Sequence, residues 1–141
     1  MVDQSFPKGV ALAEWLVNVS ASTTKGQLFV REAQHTVDAV NTSVAQRWIY
    51  ADNVKDINGA SVSKSVQYFT FNTPIGTPAD NQCGRLVYSD IHVASGDTIG
   101  APFPSGCATM NLTPQEKALE FMFFDLTSRV CDDTKPPPPP K

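Results

Sequence analysis

The sequence predicts an α/β fold: a small, mostly parallel or mixed sheet flanked by helices. Three observations carry that expectation. A helical pattern opens the chain, a second one closes it, and the segment Gly84 to Val93 between them begins as a continuous apolar run. Such a run is what a strand covered on both faces looks like. Helix, strands and helix in that order describe a layered α/β domain. An all-β sandwich is the runner-up, weakened by the two good helices.

Leu12, Trp15, Leu16 and Val19 follow the i, i+3, i+4, i+7 spacing of one helix face, so a helix is expected over residues 7 to 20. Pro7 stands near its start, where a missing N–H does no harm. The small polar run Ser20 to Thr24 ends it. Gly26 to Val30 is strand-like, and Val37 to Val40 forms a turn or short helix. Arg47 to Tyr50 carries strong β-formers. Asp52 to Lys64 is rich in Asn, Asp, Gly and Ser and reads as a loop. Val66 to Asn72 alternates apolar and polar residues, the second strand signal.

Pro74, Gly76 and Pro78 make 73 to 83 a loop, and Gly96, Gly100, Pro102, Pro104 and Gly106 make 94 to 110 a long irregular one. Thr113-Pro114-Gln115-Glu116 is a capping box, with Thr113 as N-cap and Glu116 three residues later. Leu119, Met122, Phe123, Leu126 and Val130 then hold helical spacing and predict the buried face of the final helix.

The 141 residues make one domain, expected over 1–133, complete or as part of a larger unit. Leu, Ile, Val and Phe supply about a quarter of the chain, enough for a packed core. Residues 134–141 end in five prolines and a lysine, an extended linker or tail. A net charge of −3 with no basic cluster argues against nucleic acid. No apolar run reaches the length of a membrane span. No basic stretch followed by an apolar h-region marks a signal peptide.

Several residues are candidates for chemistry. His92 closes the best strand, and ligands of open α/β sheets bind outside the carboxyl ends of strands. Asp90 precedes it by two residues on the same strand face, and Asp97 follows in the adjoining loop. A histidine with a carboxylate orienter is the minimum for general-base work. The plainer alternative is a strand-end histidine bonded to a loop carbonyl. His35, Glu32 and Asp38 form a second group. If Asp90 and His92 converge on it, the set suits Zn²⁺, or iron where positions stay open; otherwise these are polar turn residues. Asp52, Asp56 and Asn58 around Gly59 have a Ca²⁺-like flavour, but the EF-hand spacing fails.

Trp48, Tyr50, Tyr68, Phe69 and Phe71 lie on neighbouring strands. An exposed face would make them a stacking platform for a sugar or another protein; a buried one makes them core. Phe69 and Phe71 are expected in the core, with Trp48 and Tyr68 open to either role. Cys83 and Cys107 flank the best strand and its following loop. A disulfide between them would pin that loop and stabilise by about 3 kcal/mol. Cys131 then remains over; the alternative is three reduced thiols.

Three segments together resemble a known family. They are Gln34-His35-Thr36-Val37, the run Cys83-Gly84-Arg85-Leu86-Val87-Tyr88-Ser89-Asp90-Ile91-His92, and the closing helix from Leu112-Thr113-Pro114-Gln115-Glu116. The stretch 5–131 resembles the C-terminal half of a class I glutamine-amidotransferase-like domain of the ThuA-like kind. The resemblance implies a partial, flavodoxin-like α/β architecture. It places His92 where the family has its triad histidine. Ala94 stands where the glutaminase branch has glutamate, and no Gly-x-Cys-x-Gly or Gly-x-Ser-x-Gly elbow is present. The stretch is also similar to modules of large bacterial cell-surface proteins. That implies an extracellular or cell-surface setting, where disulfides persist.

Two functions follow as expectations. One is a non-catalytic binding or accessory module of an exported bacterial protein, with a carbohydrate, small molecule or protein as ligand. It would carry Trp48, Tyr50, Tyr68 and His35 at the ligand. The other is a small hydrolase of an ester, lactone or glycosidic bond, with His92 and Asp90 as general base pair, with or without Zn²⁺ or Ca²⁺. A partial domain would also expose apolar surface and oligomerise through it.

Overall fold

The computed structural model describes residues 1–31, 33–55, 58–93 and 111–127. Helix α1 (Pro7–Asn18) is followed by strands β1 (Ala45–Lys55), β2 (Ser61–Thr73) and β3 (Gly84–Ser89), and then by helix α2 (Pro114–Thr127). The strands form one sheet in the order β1-β2-β3, and both pairings are antiparallel. This corrects the expected mostly parallel or mixed sheet. Parallel neighbours need a crossover of a dozen or more residues, usually a helix. Here β1 and β2 are joined across 56–60. The link from β2 to β3 across 74–83 holds only a 3₁₀ turn, Ala79–Asn81. The apolar run of β3 does not mark a central strand either. β3 lies last in the sheet, and its Leu86 is 42% exposed.

Two further expectations change. The segment 52–64 is not a loop throughout, because β1 and β2 run into it and pair Asp52 with Lys64 and Val54 with Val62. A two-stranded ribbon projecting into water can be polar on both faces, so composition hides it. Gly26 to Val30 forms no strand. Leu28 is buried, but the partner of β1 on that side is the chain start instead. Val2 bridges Ile49, Asp3 donates its amide to the Trp48 carbonyl at 2.8 Å, and Tyr50 donates to Met1 at 2.9 Å. Register shifts on both sides of Ile49 let adjacent Trp48 and Ile49 both be buried.

The core lies between the helices and one sheet face. Leu12, Ala13 and Leu16 of α1 are fully buried, with Trp15 and Val19 partly so, as the periodicity predicts. Trp48 is its centre. Phe6 and Tyr68 meet its ring edge-on at 4.9 and 5.9 Å, and its indole N–H donates to Thr70 Oγ1 at 2.9 Å. Gly9 in α1 marks a close approach: a Cβ there would overlap the Asp3 carbonyl oxygen and the Phe6 ring.

Helix α2 starts as the capping box predicts. Glu116 N–H donates to Thr113 Oγ1 at 3.3 Å, and Thr113 N–H to Glu116 Oε2 at 2.6 Å. Its buried face matches the expected one only at Met122. Gln115, Ala118 and Met122 face the core, while Phe123 and Leu126 are 58% and 40% exposed. Val130 lies outside the described residues. The cause is ionic. Asp125 turns inward, meeting Lys8 of α1 at 2.6 Å and Arg85 of β3 at 3.1 Å, with all three side chains less than a tenth exposed. A buried carboxylate must face its cations, and the helix is turned accordingly.

Candidate functional site

β2 outlasts β3, so its edge beyond Tyr68 is open for other chain. Asp90 continues the ladder by one bond, its amide donating to the Gln67 carbonyl at 2.8 Å. The loop 33–38 takes the next place. Val66 N–H donates to the Val37 carbonyl at 2.7 Å, and Gln67 Nε2 and Ser65 Oγ donate to the Gln34 carbonyl at 2.7 and 3.2 Å. Thr36 closes the junction on the Asp90 carboxylate, through its amide at 3.1 Å and its hydroxyl at 3.2 Å. His35, next in the loop, pairs through Nε2 with exposed Asp38. The structure thus brings Asp90 to the His35 loop, one of the two convergences on which the metal reading of the second group depends. Both oxygens of Asp90 are engaged by Thr36 rather than by His92.

The His92 side chain is exposed, and no hydrogen bond or ion pair to its ring is found among the described residues. Its carbonyl accepts from Gln115 Nε2. Gln115 also accepts from Arg31 N–H at 2.7 Å, so this buried amide ties the strand end, the 31 region and α2 together. Beside it Tyr68, Ile91, Val93, Ala118, Leu119 and Met122 line a hollow of about 10 Å³, room for one water and far below a small-molecule site. Asp97, Glu32 and Asp56 lie outside the described residues. Among the described residues no three His, Cys, Asp or Glu side chains gather to hold a metal ion. Cys83 is exposed with a free thiol, and Cys107 and Cys131 lie outside the described residues.

The aromatics divide between the two faces, which corrects the core expectation for Phe69 and Phe71 and settles Trp48 and Tyr68, open to either role by sequence, as core. Trp48 and Tyr68, at 0% and 2% exposure, are core, whereas Phe69 and Phe71 lie on the face turned from the helices and are half-buried. Strand alternation demands the split, since Tyr68 and Thr70 both point at Trp48. On the outer face Phe69 pairs with Tyr88 across the strands, their rings 4.8 Å apart and 21° from parallel. Phe71 continues the row at 6.4 Å and 17°. Leu86 lies opposite Phe71. On β1, Arg47 stacks over the Tyr50 ring at 3.6 Å and pairs with Asp3 at 2.8 Å. Of the residues expected at a ligand, Tyr50 is half-buried on this strand and His35 is exposed at the loop.

Burial pushes the Tyr88 phenol up, Thr36 pulls it back, and the Asp90 charge raises it again. Tyr88 therefore stays a neutral hydroxyl through the physiological range. The sequence pattern does not single it out. Its signal was available in the alternation of β3, which puts Leu86 and Tyr88 on one face of the strand. No helix among the described residues is long and apolar enough to cross a membrane. Comparison with protein-family models, curated proteins and solved structures finds no match to this chain.

Proposed function

We propose that this chain is a non-catalytic binding module that recognises another protein through the outer face of its sheet. The observation that supports this most is the row Tyr88, Phe69 and Phe71, joined by Leu86, on the face away from the helices. The ring geometry favours a protein over a sugar. Stacking at 4.8 Å across the strands means that Tyr88 covers one face of Phe69, so the row presents ring edges outward. Sugars stack on open ring faces, whereas ring edges pack against aliphatic and aromatic side chains. Arg47 over Tyr50 adds a charged flank to the apolar strip, an arrangement frequent at protein interfaces.

The hydrolase reading has less support. It needs Asp90 on His92, and Asp90 is committed to Thr36.

A photo-crosslinking residue in place of Phe71 tests the proposal in the producing cells, with the same residue in place of Phe29, 76% exposed and remote in sequence, as control. The expected result is a discrete protein adduct at 71 and none at 29. Equal labelling at both positions, or none at either, overturns the proposal. Glycan binding lost in Phe71→Ala would move the ligand to carbohydrate.

A further inference from the structure

The two edges of the sheet are finished differently. At the β1 edge, residues 1–3 cover Trp48 to Tyr50, the register shifts twice, and Asp52, Asn53 and Lys55 follow. Bulges, charges and covering chain are how proteins keep an edge from pairing. Among the described residues the β3 edge shows no bulge and no covering chain, and its one charge, Arg85, is turned inward onto Asp125. Gly84 to Ser89 pairs with β2 in one uninterrupted register and contains neither proline nor lysine.

The direction of its free groups follows from the ladder. Asp90 donates to Gln67, so by antiparallel alternation Tyr88 and Leu86 also bond towards β2. The amides and carbonyls of Val87 and Ser89 then point outward. Among the described residues nothing bonds to them there.

We infer that β3 pairs along this edge with β3 of a second copy of the chain, antiparallel and centred on Val87. The strand is self-complementary in that register. Val87 faces Val87 of the second copy, and the two residues exchange both main-chain bonds. Leu86 lies opposite Tyr88 of the second copy on the outer face, an aliphatic–aromatic pair of the kind that stabilises sheets. Arg85 lies opposite Ser89, so no like charges meet. The two three-stranded sheets become one, and the aromatic rows of both copies join. The proposal does not rest on the recognition reading, because the pairing groups are main-chain atoms of β3 and not the rings of Phe69 and Phe71.

Sedimentation velocity of the full chain over the micromolar range tests it. The expected result is a mass that rises from one chain to two with concentration. Val87→Pro removes an outward amide that β2 does not use, and Leu86→Lys places a charge on the exposed side of the same edge. Each should weaken self-association about tenfold or more, at an unchanged far-UV spectrum. Leu86→Lys decides if the proline distorts the strand. On concentrating the wild type, exchange at the Val87 and Ser89 amides should slow. A monomer at every concentration overturns the proposal, as does a dimer that survives Leu86→Lys. So does a dimer lost on Phe71→Ser but kept in Val87→Pro, which would mean packing through the faces.

Discussion

Thr36 grips both oxygens of Asp90, one through its amide and one through its hydroxyl, from fifty-four residues away in sequence. The carboxylate holds the 33–38 loop against the end of the sheet. Asp90→Ala should therefore destabilise the fold by about 1–2 kcal/mol, the cost of two lost charge-assisted bonds at a half-buried site. His92→Ala should stay within about 0.5 kcal/mol, as an exposed ring with no partner among the described residues would. Urea unfolding midpoints of the two variants check this. Equal losses would mean that the two side chains act as a unit after all.

Gly9 gives a prediction with the opposite sign to helix propensity. Alanine is the better helix former, yet its Cβ would run into Asp3 and Phe6. The backbone oxygen cannot step aside without releasing the chain start from Trp48. Gly9→Ala should cost about 1–3 kcal/mol, as overpacking does. A thermal melt that rises instead would show that residues 1–3 are not held on β1.

How much could be read beforehand differs by element. α1 was legible because Leu12 and Leu16 bury at helical spacing on one face, although buried Lys8 carries no such signal. The capping box of α2 was legible because Thr113 and Glu116 bond to one another locally. The buried face of α2 was legible only at Met122, because Asp125 faces inward for partners on α1 and β3 that no local pattern reveals. The apolar run of β3 points to a mostly parallel or mixed sheet, yet an edge strand looks the same when one face carries Tyr88 and Leu86. Asp90 and the His35 loop were both visible as candidates. Thr36, which joins them, was not, since a threonine in a turn carries no distinguishing pattern.

The Lys8, Asp125 and Arg85 cluster predicts a contrast between buried and exposed charge. Asp125→Asn leaves two buried cations without that carboxylate and should cost about 3–5 kcal/mol. The Lys25–Glu14 pair has the same kind of geometry, 2.8 Å, but its side chains are 48% and 57% exposed. Lys25→Ala should change stability by less than about 0.5 kcal/mol. Denaturant midpoints measured for both variants in one buffer give the comparison. A small effect at Asp125 would place α2 away from β3.

Stability should fall at both ends of the pH scale, through different residues. The Thr113 backbone and side-chain bonds hold Glu116 below its ordinary 4.5. Burial pushes Asp3 up, but bonds from Ser5 and Arg47 outweigh it and leave Asp3 below 3.8. A lowered carboxylate contributes fully above its unfolded pKa and loses that contribution as pH drops through the folded one. The acid limb therefore begins near pH 4 and steepens below it. Tyr88 runs the other way. Burial raises it above 10.0, so its contribution is full below pH 10 and disappears as pH climbs through the higher folded value. Melting temperature against pH should show a plateau between these limits. Thr113→Ala should shrink the acid limb, and Tyr88→Phe should flatten the alkaline one while leaving the acid side alone. An alkaline limb unchanged in Tyr88→Phe would show that the phenol is not buried against Phe69.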